Sequence, residues 1–157
     1  MFTKAILMNK LNMPKNKYKI VPEYEHKEDV YSYLMAQIRF KEGKYDEVLI
    51  ILNQTVFSDM YTKMDVRRMR MKLYYAPEYI QLFEDMVNSF RSFLSENENN
   101  IPAEHIQANR DFTNICNRIH DTLRRDKKRI KSIEEKIANI QVLPEKTWLL
   151  EKLNALK

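Results

Sequence analysis

The sequence predicts an all-α protein built from antiparallel helix pairs, and three observations predict it. Gly43 is the one glycine in 157 residues, so the tight turns of strand hairpins lack the residue that takes positive φ without steric cost. No segment alternates apolar and polar residues between turn signals, as a half-buried strand would. Apolar residues instead recur three and four positions apart along most of the chain.

Taken in order, residues 1–26 are expected to form an N-terminal basic arm or short helix. A short apolar piece from Ala5 to Leu11 is followed by a lysine-rich stretch framed by Pro14 and Pro22, and both prolines disfavour helix before them. Residues 27–157 are expected to form a helical-repeat domain. Its first pair covers about 28–56. Val30, Tyr33, Leu34, Ile38 and Phe40 recur at helical spacing, and Gly43 follows where a helix ends on a residue at positive φ. Asp46 is placed to cap the second helix, whose apolar set is Val48, Leu49, Ile51, Leu52 and Val56. Helices joined by so short a turn must lie antiparallel.

The second pair covers about 58–95. Ser58 and Asp59 open a helix running to about Tyr75. Pro77 interrupts and restarts it at the first-turn position that proline tolerates. Tyr79, Phe83, Met86, Phe90 and Phe93 then form a stripe. After the polar loop Ser95 to Asn100, C-terminal helices are expected over about 102–157. Pro102 begins one with Phe112, Ile115, Cys116, Ile119 and Leu123 on its buried face. Ile130, Ile133, Ile137 and Ile140 mark another, and Leu149, Leu153 and Leu156 a last short one after Pro144.

The helix opened at Asp59 has two apolar edges. At about 100° per residue, Met60, Met64 and Met71 fall on one flank and Val66, Met69 and Leu73 on the other. Tyr61, Asp65, Arg68, Lys72 and Tyr75 make a stripe between them. A helix with neighbours on both sides, in the middle of a stacked array, needs such a pattern. The stripe is expected to face a groove or open water. The methionines, nine in all, are read as core fillers beside the aromatic residues.

GKYDEVLIIL resembles the turn and second-helix start of a tetratricopeptide repeat, and VYSYLMAQIRFKE stands where the first helix should, with Ala36 at the small-residue position. The stretch from DMYTKMDVRRMRMKLYY to FRSFL is similar to helical-repeat regions of long uncharacterised bacterial proteins. The chain is thus similar to a degenerate tetratricopeptide-like protein. The resemblance implies a short right-handed solenoid of helix pairs closed by C-terminal capping helices. First helices line the concave face in such proteins, so it also implies partner contact through Tyr33, Gln37, Arg68, Lys72 and Tyr75.

Charge and chemistry bound the alternatives. The net charge of +5 is concentrated in two places: residues 1–27, and residues 110–131, where eight basic groups face three acidic ones. Within the second, Arg124, Arg125, Lys127, Lys128, Arg129 and Lys131 could meet an acidic partner or a phosphate backbone. Phosphate-cradling loops need several glycines, which excludes nucleotide folds of that kind. Cys116 and His120, one turn apart, are the closest approach to a nucleophile or metal pair, but Cys116 lies on the buried stripe and no third residue orients them. Carboxylates such as Glu84 and Asp85, or Glu134 and Glu135, are adjacent and point to different azimuths of a helix.

No enzymatic activity, cofactor or metal is expected. Apolar runs fall short of the ~20 residues of a membrane span, and Met1 to Lys15 lacks a signal-peptide pattern, so the expected location is the cytoplasm. The expected function is a scaffold binding a protein or peptide in a groove lined by first helices. The second reading is a nucleic-acid-associated helical protein using the basic segment 110–131. Oligomeric state stays open.

Overall fold

The computed structural model describes residues 27–124 and 129–157. In these residues the regular structure is helical throughout: α1 Lys27–Lys41, α2 Tyr45–Gln54, α3 Met60–Leu73, a 3-10 turn Pro77–Tyr79, α4 Ile80–Glu96, α5 Ala103–Arg124, α6 Ile130–Asn139 and α7 Lys146–Asn154. The predicted N-terminal arm, 1–26, lies outside the described residues. The chain divides into two compact units, Met1–Arg70 and Met71–Lys157. The division falls inside α3, not between the two expected helix pairs.

In the first unit, α1 and α2 pack as a hairpin. Gly43 takes φ +73°, with the N–H of Gly43 on the Phe40 carbonyl at 3.1 Å and that of Lys44 on the Arg39 carbonyl at 2.9 Å. This double bond pattern closes a helix end and satisfies two of its orphan carbonyls. The turn is so tight that α2 begins at Tyr45, and its N-cap is Lys44, which makes no side-chain cap. The expected cap Asp46 therefore sits within the first turn, where its charge still complements the helix dipole. Val48, Ile51 and Leu52 are buried as expected, whereas Val56 lies beyond the helix end and is 91% exposed.

Asp59 caps α3 as predicted, its carboxylate accepting from the Thr62 N–H at 2.7 Å and the Thr62 hydroxyl at 2.8 Å. The preceding loop is tied to α1: the buried Asp29 carboxylate accepts from the Ser58 N–H and hydroxyl at 3.0 and 2.6 Å. Arg70 closes the far end of α2 by donating to the Leu52 carbonyl at 3.0 Å.

In the second unit, α5 is the packing centre, in contact with α4, α6 and α7. Ala76 is extended before Pro77, as the proline ring demands. Phe83, Val87, Phe90 and Leu94 are the buried face of α4; Phe112, Ile115, Cys116 and Ile119 are that of α5. Completely burying a phenylalanine such as Phe83, Phe90 or Phe112 contributes roughly 2–3 kcal/mol. Ile133 and Ile137 anchor α6, and Leu149 and Leu153 anchor α7. α7 starts after Glu145, a non-glycine residue held at φ 56°.

Candidate functional site

Two surfaces follow from these elements, one on α1 and one on α3. On α1 the helix is packed through Met35 and Ala36, 5% and 0% exposed. Arg39 is also buried, held by Glu42 at 2.8 Å and Glu47 at 3.0 Å. The Arg39 bond to Glu42, with Lys44 at 3.1 Å, holds the exposed Glu42 carboxyl below its ordinary range. The opposite side is open. Val30 and Leu34 are 43% and 47% exposed, and the half-buried Tyr33 and Gln37 fall on the same face at spacings of three and four. The sequence stripe Val30, Tyr33, Leu34 thus marks the exposed side of α1, away from the buried Met35, Ala36 and Arg39.

On α3 both predicted flanks are buried at Met64, Val66, Met69 and Met71. The stripe between them is not open as expected. Tyr61 is 46% exposed, but Tyr75 is only 8% exposed. Arg68 pairs with Asp65 and keeps a side chain 14% exposed. Lys72, its side chain 11% exposed, reaches the Glu145 carboxylate at 2.9 Å. The expected contact residues Arg68, Lys72 and Tyr75 are therefore covered or engaged within the chain, and only Tyr33 and Gln37 of the five stand on an open face.

Tyr75 closes the stripe because it enters an aromatic cluster. Its ring meets Phe83 at 6.1 Å, His120 at 5.5 Å and Trp148 at 5.2 Å between centroids, each near edge-to-face. His120 stacks on Phe83 at 4.0 Å, and the Lys152 ammonium lies 5.6 Å from both the Tyr75 and Trp148 ring centres, within cation–π range. Burial pushes the Tyr75 phenol well above its ordinary value. Cys116 is fully buried, and burial likewise raises its thiol despite the opposing charge of Lys72. A thiol so placed is held as the unreactive neutral form. His120 is 2% exposed, inside the core beside Cys116. Among the described residues no group of three or more His, Cys, Asp or Glu side chains could hold a metal ion.

Of the basic segment, Arg129 and Lys131 are exposed; Arg125, Lys127 and Lys128, and the side chain of Arg124, lie outside the described residues. Of the basic residues preceding it, Arg110 pairs with Glu98, and Arg118 donates to the Ser132 hydroxyl at 3.4 Å. No helix of the described residues is long and apolar enough to cross a membrane. A scan against protein-family models, a search of curated proteins and a search of solved structures each found no match.

Proposed function

We propose that the chain is a non-enzymatic interaction scaffold, a short tetratricopeptide-like array of helix pairs that binds a peptide or helix of another protein. The observation that carries this reading is the open face of α1, where Val30 and Leu34 leave large apolar surface in water beside Tyr33 and Gln37. Apolar anchors at i and i+4 with polar neighbours are what a docking helix or extended peptide uses. The glycine turn of α1–α2 and burial on both flanks of α3 support the solenoid. The contact set passes from the whole stripe to α1 alone, because Lys72 and Tyr75 are committed within the chain.

The test places a photo-crosslinking amino acid at Gln37 and asks what is captured in the source cell. A Leu34→Glu variant of unchanged helicity and melting temperature should lose the captured protein. Equal capture by wild type and variant would clear α1 of the role. A titration with DNA or RNA over a range of salt serves the nucleic-acid reading, since phosphate contacts weaken steeply as salt rises.

A further inference from the structure

α4 carries more apolar surface than the fold covers. At about 100° per residue its apolar side chains sweep a sector of roughly 160°. The middle of that sector, Phe83, Val87, Phe90 and Leu94, is buried. One edge is open over the first half of the helix: Tyr79 and Leu82 are 45% and 47% exposed and Met86 is half-buried, whereas Phe93, farther along the same edge, is buried. Tyr79 is set in place by an edge-to-face contact with Tyr74 at 6.3 Å.

The sector bordering that edge is acidic. Glu78, Asp85 and Glu96 project there, all exposed, and among the described residues none of them is held in an ion pair. Asp85 is oriented by the Gln81 amide, which donates to it at 2.9 Å. Between Pro77 and Glu96 the only basic residue is Arg91 against four acidic ones, in a chain whose net charge is +5. The negative edge is thus a local departure from the charge of the molecule, running parallel to an apolar strip.

We infer that this edge of α4, Tyr79, Leu82 and Met86 bordered by Glu78, Asp85 and Glu96, docks a basic amphipathic helix of another protein. The apolar strip supplies the anchoring surface and the acidic line selects lysine or arginine on the partner's flank and sets its register. The inference rests on the reading of the chain as an interaction scaffold and gives it a second surface with a defined partner class.

The test uses the full chain and two labelled probes, a short helical peptide of leucines and lysines and its isomer of leucines and glutamates, followed by fluorescence anisotropy at low and physiological salt. The leucine–lysine peptide should bind, and should weaken about tenfold on a paired Glu78→Lys, Asp85→Lys change, where close charge pairs are lost. Leu82→Ser should weaken it at both salt concentrations. The leucine–glutamate peptide should bind only the charge-reversed variant. Absence of binding by the leucine–lysine peptide, or equal binding to wild type and charge-reversed protein, overturns the inference. So does a dimer in sedimentation that Leu82→Arg converts to monomer, because the occupant is then a second copy. If Leu34→Ser abolishes peptide binding and Leu82→Ser does not, α4 is excluded while the scaffold reading based on α1 survives.

Discussion

The Lys72 ammonium donates to the Glu145 carboxylate at 2.9 Å across 73 positions of sequence. It fastens the end of α3 to the residue that precedes α7. The pair is partly sheltered, with side chains 11% and 32% exposed, so it is stronger than a surface ion pair but screened on the glutamate side. Glu145→Gln should lower stability in urea by about 1–2 kcal/mol, the range between exposed and buried pairs. Lys72→Met should cost less than Glu145→Gln, since a hydrophobic side chain leaves only the more exposed carboxylate without its partner. Equal, negligible losses in both would show that the pair contributes nothing.

The same residue carries backbone strain. Glu145 sits at φ 56°, a region that costs a residue with a Cβ about 1–2 kcal/mol. Glu145→Gly and Glu145→Ala both remove the carboxylate, so their difference isolates the backbone. The glycine variant should be more stable than the alanine variant by about 1 kcal/mol, measured as a shift in the urea midpoint at constant slope.

Gly43 offers the converse case. It lies at φ +73° with nothing within 4 Å of a Cβ added there, so only conformation opposes a side chain. Gly43→Ala should destabilise by about 1–2 kcal/mol, and Gly43→Asn by less, because asparagine tolerates the left-handed region. A loss much larger than this would mean that the site is crowded, contrary to its open surroundings.

Tyr75 and Cys116 make the second unit sensitive to alkali. Burial raises both groups above their unfolded values, so the folded state binds protons that the unfolded state releases. Stability from these groups is complete at neutral pH. It should fall as pH rises past roughly 9–10, where the unfolded thiol and phenol ionise. Urea midpoints between neutral pH and pH 10.5 would show the decline, and Tyr75→Phe should reduce it. Cys116 should react with a thiol reagent at the rate of unfolding; immediate reaction in the native protein would contradict its burial.

The two sides of α1 should respond oppositely. Leu34→Ser, on the open face, should change stability by no more than about 0.5 kcal/mol. Ala36→Leu, on the fully buried side, should cost about 1–3 kcal/mol through overpacking. Thermal melts of the two variants settle which side is core.

The helices and their ends were legible in the sequence because their causes are local. Gly43 at positive φ, Asp59 bonded to Thr62, and Pro77 and Pro102 at helix starts act over three or four residues, and the periodicity of Phe83, Phe90, Ile115 and Ile119 follows from helix geometry. One local signal misled: Asp46 looked like a cap, but the bonds that close α1 use the same few residues and begin α2 two positions earlier.

What the sequence determined by itself is an all-α chain with one glycine-closed hairpin and a doubly apolar α3. Only the tertiary structure decided which polar residues stay in water. Lys72 and Tyr75 read as an open ridge because their spacing, on a helix expected to run to Tyr75 and ending at Leu73, says nothing of Glu145, His120 or Trp148, which approach from far along the chain. Val30 and Leu34 recur at helical spacing, but that spacing does not say which side of α1 is covered, and the buried side proves to be that of Met35 and Ala36. Burial is a property of non-local neighbours, and that is why the open faces of α1 and α4 emerge from the packing alone.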